Sequence, residues 1–142
     1  MKKGDITSLE IPLEQDSSFY KELSQHLSRL LHQQATLIGL PTLQGVTYVK
    51  ALDILFLKGE SAQASLHMTD GKHYIVNRTL RECEDKLNPL GFCRIHKSYI
   101  VNLQQIRKYS KGEGRTIELA DGTKIDVTRG YYESFLSKVT IL

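Results

Sequence analysis

The run Phe92-Cys93-Arg94-Ile95-His96-Lys97-Ser98-Tyr99-Ile100-Val101-Asn102 places three nitrogen-rich side chains, Arg94, His96 and Lys97, within four residues. Near the C-terminus Asp126-Val127-Thr128-Arg129 adds a hydroxyl and a guanidinium. Such groups suit an anionic partner. Duplex phosphates take Lys, Arg and backbone N–H donors. In the major groove, Arg or Lys matches guanine O6/N7, and Asn or Gln matches adenine N6/N7. Gln63, His96, Lys97, Asn102 and Arg129 are of that kind, and each has a structural alternative. His96 could be a core histidine bonded to backbone. Asn102 fits a cap or turn, because Asn bonds nearby backbone readily. Arg94 could pair with Glu118 across a sheet. Lys108, Lys111 and Arg115 flank a loop around Gly112 and Gly114, as phosphate contacts or as an exposed loop.

Catalytic patterns are missing. The five histidines, His26, His32, His67, His73 and His96, are scattered, with no HExxH and no ligand-spaced pair with a carboxylate. There is no GxSxG, P-loop or GxGxxG. Cys83 and Cys93 form no CxxC and read as free thiols. No metal or cofactor is expected. Catalysis would need a constellation the sequence does not display, such as His96 in a deep pocket with a carboxylate. The chain reads as a binding protein, not an enzyme.

The charge is unevenly spread. The chain of 142 residues carries a net charge of +3. Residues 94–142 hold nine Lys/Arg against five Asp/Glu, whereas residues 41–93 hold six of each. A local basic field favours a polyanion through counterion release and steering. An ordinary solvated surface would also fit. No apolar run approaches the ~20 residues of a membrane span, and Met1-Lys2-Lys3-Gly4-Asp5 has no apolar stretch behind it to make a secretory signal. A cytoplasmic location without membrane insertion follows as the expectation.

These residues need elements to position them. Leu9–Glu14 alternates like a short extended segment, limited by Pro12. Asp16, Ser17 or Ser18 can cap a helix in which Tyr20, Leu23, Leu27, Leu30, Gln34 and Leu37 step by threes and fours. That seam either pairs with its copy in a dimer or lies on the chain's own core. Gly39-Leu40-Pro41 closes the helix and divides an N-terminal extension, residues 1–39, from a domain over 40–142. Beyond it the pattern turns β-rich. Val46–Lys50 and Ile54–Leu57 read as strands, and Lys58–Gln63 as a loop or hairpin tip. Thr69-Asp70-Gly71-Lys72 and Ala120-Asp121-Gly122-Thr123 read as hairpins, with Asp-Gly favouring a primed two-residue turn. Asn77 can cap a helix through Leu80, Cys83 and Leu87 that Asn88-Pro89 ends. A last helix starts near Gly130, with Tyr131, Phe135, Leu136 and Val139 on its apolar side.

The ordered set of these motifs resembles the LytTR family of DNA-binding domains over roughly residues 40–140. The matching stretches are Asp53–Leu57, Thr69–Lys72 with Thr79-Leu80, the run Phe92–Leu103, and Leu119-x-Asp121-Gly122-x-x-Ile125-x-Val127-Thr128-Arg129-x-Tyr131. The resemblance implies a mostly β (α+β) domain of small packed antiparallel sheets with short helices, here preceded by an N-terminal helix. It implies binding to double-stranded DNA through loops in successive major grooves, in a bacterial, response-regulator-like transcription regulator acting as a homodimer. By position it implies DNA contacts near the Lys58–Gln63 loop, at His96 and Lys97, at Arg115, and at Thr128 and Arg129; the expected contact set adds Ser61, Gln63, Arg94, Ser98 and Lys111. His96, Lys97 and Arg129 would make base or near-base contacts, and Arg94, Ser98, Lys111, Arg115 and Thr128 would mainly hold phosphates.

Two departures matter. Ala62-Gln63 stands where many members have Asn-Tyr in the first contact loop. A receiver domain needs over a hundred residues, and about forty precede the DNA-binding region, so the chain is a stand-alone regulator or a fragment. A sensor or membrane protein encoded nearby is a candidate partner. The alternative reading is a protein-interaction module that dimerises through Tyr20–Leu37 and binds a regulator or membrane protein.

Overall fold

The computed structural model describes residues 17–142, and the side chains among them other than those of residues 29–35. The segment expected over 9–14 and Asp16, one of the three expected caps, lie outside the described residues, while Ser17 and Ser18, the other two, are already helical. The described residues divide into two units between His32 and Gln33. Helix α1 spans Ser17–Ala35. On it Leu23 and Leu27 are exposed, as is Phe19.

The helix stops earlier than its seam suggests. Leu37, expected as the last seam position, opens strand β1 (Leu37–Thr42), which pairs antiparallel with β2 (Gly45–Lys50). Gly39-Leu40-Pro41, expected as the break between domains, lies inside β1 opposite Tyr48, Thr47 and Val46. Pro41 is tolerated because β1 is an edge strand, and burial of Leu40 draws this stretch into the β-rich unit.

The rest follows in chain order. β3 (Ile54–Glu60), β4 (Gln63–Met68), β5 (His73–Val76), β6 (Phe92–His96) and β7 (Tyr99–Asn102) form a five-stranded antiparallel sheet in the order β5-β4-β3-β7-β6. Helix α2 (Leu80–Leu87) connects β5 to β6. β8 (Ile106–Lys111), β9 (Arg115–Leu119) and β10 (Lys124–Val127) form a second sheet, and a 3-10 turn over Arg129–Tyr131 leads into helix α3 (Tyr132–Leu136). This mostly β arrangement of small antiparallel sheets and short helices is the fold expected from sequence.

The central sheet is covered on both faces. Ile54, Leu57, Leu66, Phe92 and Ile100 pack with Leu40, Val49, Leu80 and Leu87, so one face meets the β1–β2 ribbon and α2. Leu55, Phe56, Cys93, Ile95 and Val101 pack with Ile117, Leu119, Ile125, Val127 and Phe135 of the second sheet and α3. Consecutive Leu55 and Phe56 share a face because a bulge falls between Ile54 and Phe56. Asn102 is fully buried: its amide donates to the carbonyls of Ala51 (3.2 Å) and Ile54 (2.9 Å), and its Oδ1 accepts the Gln104 N–H at 3.0 Å. It is a structural residue, tying β7 to the turn before β3.

Two turn assignments change. In both Asp-Gly hairpins glycine alone has positive φ, Gly71 at 90° and Gly122 at 93°, so neither is the expected type I′ turn. The N–H of Gly71 donates to Met68 O (3.1 Å), while the Met68 N–H donates to Lys72 O (2.9 Å), and Leu119, Gly122 and Thr123 repeat the pattern. These are three-residue loops ending in a left-handed glycine. Asp70 and Asp121 accept the N–H of Lys72 (2.9 Å) and Thr123 (3.0 Å), which holds each loop in that form. The cap of α2 is Thr79, not Asn77: Thr79 and Glu82 form a reciprocal capping box.

Candidate nucleic-acid interface

The tight turn between β6 and β7 holds His96, Lys97 and Ser98. A register shift between Arg94 and His96 makes Ile95 the extra residue of β6. Ile95 still buries its side chain, and its carbonyl accepts the Thr128 N–H at 3.0 Å. The His96 Nδ1 accepts the Ser98 N–H at 3.0 Å, which leaves the proton of the neutral ring on Nε2. Its ring stands edge-on to Tyr99, with centroids 5.4 Å apart. His96 is therefore fixed by its own turn and by an aromatic neighbour.

Arg94 pairs with the helix before it and not with Glu118, the structural alternative open from sequence. Its Nη1 meets Glu84 Oε1 of α2 at 3.1 Å. Its Nε donates to His96 O at 3.3 Å and its Nη2 to Lys97 O. The side chain is only 16% exposed. One guanidinium thus clamps the turn that carries His96 and Lys97 and joins it to α2.

The other candidate residues gather around this turn. The Gly59 N–H donates to Ser98 O at 2.9 Å, joining the β3–β4 hairpin to it. The expected Lys58–Gln63 loop is shorter than read: strands continue to Glu60 and from Gln63, leaving Ser61 and Ala62 as the loop. Ser61 adopts φ 58°, a left-handed conformation where glycine is usual. On the other side, Thr128 is tied to Ile95, Tyr131 N–H closes the 3-10 turn onto Thr128 O at 2.8 Å, and Val127 pairs with Arg115, which pairs with Lys111. Arg115 is held over Tyr132, 4.0 Å from its ring centroid, and donates to the Tyr109 hydroxyl at 3.0 Å. Ser61, Gln63, Lys97, Lys111 and Arg129 are exposed, while His96, Ser98, Arg115 and Thr128 are half-buried.

Strand direction explains this grouping. β3, β6, β8 and β10 end where β4, β7 and β9 begin, and the cross-links named above tie those ends together. Both Asp-Gly turns lie at the opposite ends of their strands. Cations gather at the first set of ends (Lys58, Lys97, Lys111, Arg115, Arg129), beside Glu60, which pairs with Lys58 at 3.8 Å, and Glu113. All ten residues expected to contact DNA belong to this cluster, with Arg94 underneath it. Reading the sequence missed Asn77, whose Oδ1 accepts from the Gln63 Nε2 at 2.8 Å. The motif Thr79-x-x-Glu82 was a usable signal, since it assigns the helix cap elsewhere and leaves Asn77 free for another role.

Cys83 and Cys93 are free thiols, both pushed above the ordinary cysteine value by burial. Among the described residues, no group of three or more His, Cys, Asp or Glu stands together as a metal site, and no helix is long and apolar enough to cross a membrane.

The fold is thus a β-rich domain of small antiparallel sheets with basic and amide-bearing loops at one set of strand ends. The family model of the LytTr DNA-binding domain matches residues 44–140, and the chain belongs to that family. The domain is one that binds DNA and not a catalytic one. A solved LytTr DNA-binding domain of a Bacillus cereus response regulator superposes with a TM-score of 0.63 at 19% identity, covering 75% of this chain and 98% of that one, which shows the shared fold. The transcriptional regulatory protein LytR of Staphylococcus aureus (strain MW2) is 26% identical over 144 residues, 99% of this chain and 51% of that protein. The sensory transduction protein LytT of Bacillus subtilis (strain 168) is 30% identical over 102 residues, 70% of this chain and 40% of that protein. The chain spans about half the length of the S. aureus relative it matches.

Proposed function

We propose that the chain is a sequence-specific, double-stranded DNA-binding transcription regulator that reads major grooves with loops. The observation that carries this reading is the convergence of the β3–β4, β6–β7, β8–β9 and post-β10 loops, cross-linked by Gly59–Ser98 and Thr128–Ile95. Arg129, Lys97 and the Nε2–H edge of His96 are the base-reading groups, all of types that match base edges. Ser98, Lys111, Arg115, Thr128 and Ser61 hold phosphates. Arg94 positions the β6–β7 turn and does not itself grip DNA. The family and its relatives support DNA binding and transcription regulation; a cytoplasmic location in a bacterium and a sensor or membrane-protein partner encoded nearby complete the proposal.

Selection from random duplex DNA tests it, followed by titration at two salt concentrations. We expect an enriched motif. Arg129→Ala should lose about 1–3 kcal/mol on that motif and relax one position. Lys111→Ala should weaken all sequences alike and lower the salt slope by about one. Selection with no enriched motif, and an Arg129→Ala protein that binds like the parent, would contradict the reading.

A second reading concerns the assembly. Phe19, Leu23 and Leu27 leave an exposed apolar stripe on α1. It supports a homodimer formed by pairing α1 with its copy, which would present two loop clusters to one duplex. It equally supports the rival function, an interaction module whose partner is a protein.

A further inference from the structure

Gln63 and Asn77 meet side chain to side chain, Nε2 donating to Oδ1 at 2.8 Å. Gln63 is the first residue of β4, and Asn77 follows the last residue of β5. Neighbouring Ala64 and Val76 are buried and directly paired, so the two amides meet at the free end of one hairpin. Asn77 is pinned from both sides: Val76 is in the core, and Thr79 begins the capping box that starts α2. Leu80 of that helix sits against β3 so closely that a Cβ on Gly59 would be 3.0 Å from it. Both amides are exposed, and their hairpin adjoins the β6–β7 turn through Gly59 and Ser98.

A free glutamine on a hairpin end turns about three side-chain bonds and presents its amide either way round. Here one amide hydrogen of Gln63 is taken by Asn77 Oδ1 at 2.8 Å. That bond fixes the plane of the Gln63 amide. It leaves Oε1 and the second Nε2–H for a ligand, an acceptor and a donor side by side. Adenine in the major groove presents the matching pair, an N7 acceptor and an N6–H donor. Exchanging nitrogen and oxygen in both amides still leaves Gln63 with one acceptor and one donor to offer. The Arg78 guanidinium sits on Asn77 O at 3.1 Å, and Lys58 pairs with Glu60, the strand partner of Gln63, at 3.8 Å. Those cations offset the Glu60 carboxylate next to a polyanion.

We propose that the Gln63–Asn77 amide pair is an adenine-reading unit, in which Gln63 contacts the base and Asn77 is the positioning residue. This rests on the DNA-binding reading and deepens it, assigning to the first contact hairpin a base preference supported by a residue outside that hairpin's tip.

Selection from random duplexes with parent, Gln63→Ala, Asn77→Leu and Asn77→Asp proteins tests the inference. The parent should prefer A·T at one motif position, by about tenfold for a bidentate amide contact. Gln63→Ala should abolish that preference and leave the other positions intact. Asn77→Leu, which keeps size but lacks an acceptor, should reduce the same preference at least about threefold, and the Gln63→Ala/Asn77→Leu double variant should lose no more than Gln63→Ala alone. Asn77→Asp keeps an acceptor for the Gln63 amide, so it should keep the preference while binding all sequences more weakly through its added charge. An unchanged motif in Asn77→Leu, or equal loss of the preference in Asn77→Asp, would overturn the inference while leaving the wider reading standing on the Arg129 position. A parent that enriches no motif would overturn both.

Discussion

Arg94 illustrates how a residue's type and its job can part company. Its position in a basic run suggests a phosphate contact, yet its three contacts run to Glu84, His96 O and Lys97 O. A forked, planar guanidinium can reach all three at once, and a lysine cannot. Arg94→Lys should therefore behave much like Arg94→Ala, each losing about 1.5–3 kcal/mol of stability, the range for hydrogen bonds to a charged group. Thermal unfolding and DNA titration check this. A lysine variant with parental stability and affinity would instead place Arg94 on a phosphate. The reason sequence could not show this is physical. Glu84 lies on the preceding helix, and its approach depends on how α2 crosses the sheet, which no local pattern encodes. By contrast, the structural role of Asn102 was among the options open from sequence, because an Asn at the end of a buried strand finds backbone partners nearby.

At the scale of elements, the strong alternation of β4, β9 and β10 made those segments legible, whereas the Thr79–Glu82 box that caps α2 was missed in favour of Asn77. Two strands were not legible. β1 contains glycine and proline and continues a helical pattern, and its strand state depends on pairing with β2. β8 is an edge strand with only Ile106 and Tyr109 half-buried, so little alternation marks it. The Asp-Gly dipeptides announced hairpins correctly but not their loop length, which the surrounding register decides. The β4–β5 hairpin also carries a partly buried histidine, His67. His67 stacks on Phe56 (centroids 4.3 Å apart) and faces His73 directly across the strands. Burial, the His73 charge and Lys58 hold its value below the ordinary 6.5, against smaller opposing effects of Asp121 and Glu60. A depressed histidine favours the fold above its unfolded value, and that contribution is lost as pH falls through the folded value. Stability should thus decline on acidification below about 6.5, and His67→Gln should flatten that decline in thermal unfolding followed across pH. An unchanged pH profile in the variant would show that other groups govern it.

Over the whole molecule, the order of motifs was enough to indicate the family, and the fold agrees with it. The clustering of distant loops was not readable from spacing. His96 and Arg129 are brought together by a bulge that turns one carbonyl toward Thr128, a consequence of how two sheets stack. The role of α1 is a question of assembly. If its apolar stripe joins two copies, Leu23→Asp should convert a dimer to a monomer in light scattering, with the fold retained by circular dichroism. A parent that is already monomeric at micromolar concentration would remove the dimer from the account.

Whether one set of strand ends forms the DNA-binding surface can be read from backbone amide resonances followed while the selected duplex is added. Shifts should concentrate at residues 60–63, 96–98, 111–115 and 128–131, and the Asp-Gly turns at residues 69–72 and 120–123 should stay unperturbed. Shifts centred on those turns or on the β1–β2 ribbon, with the loop cluster unchanged, would contradict the account.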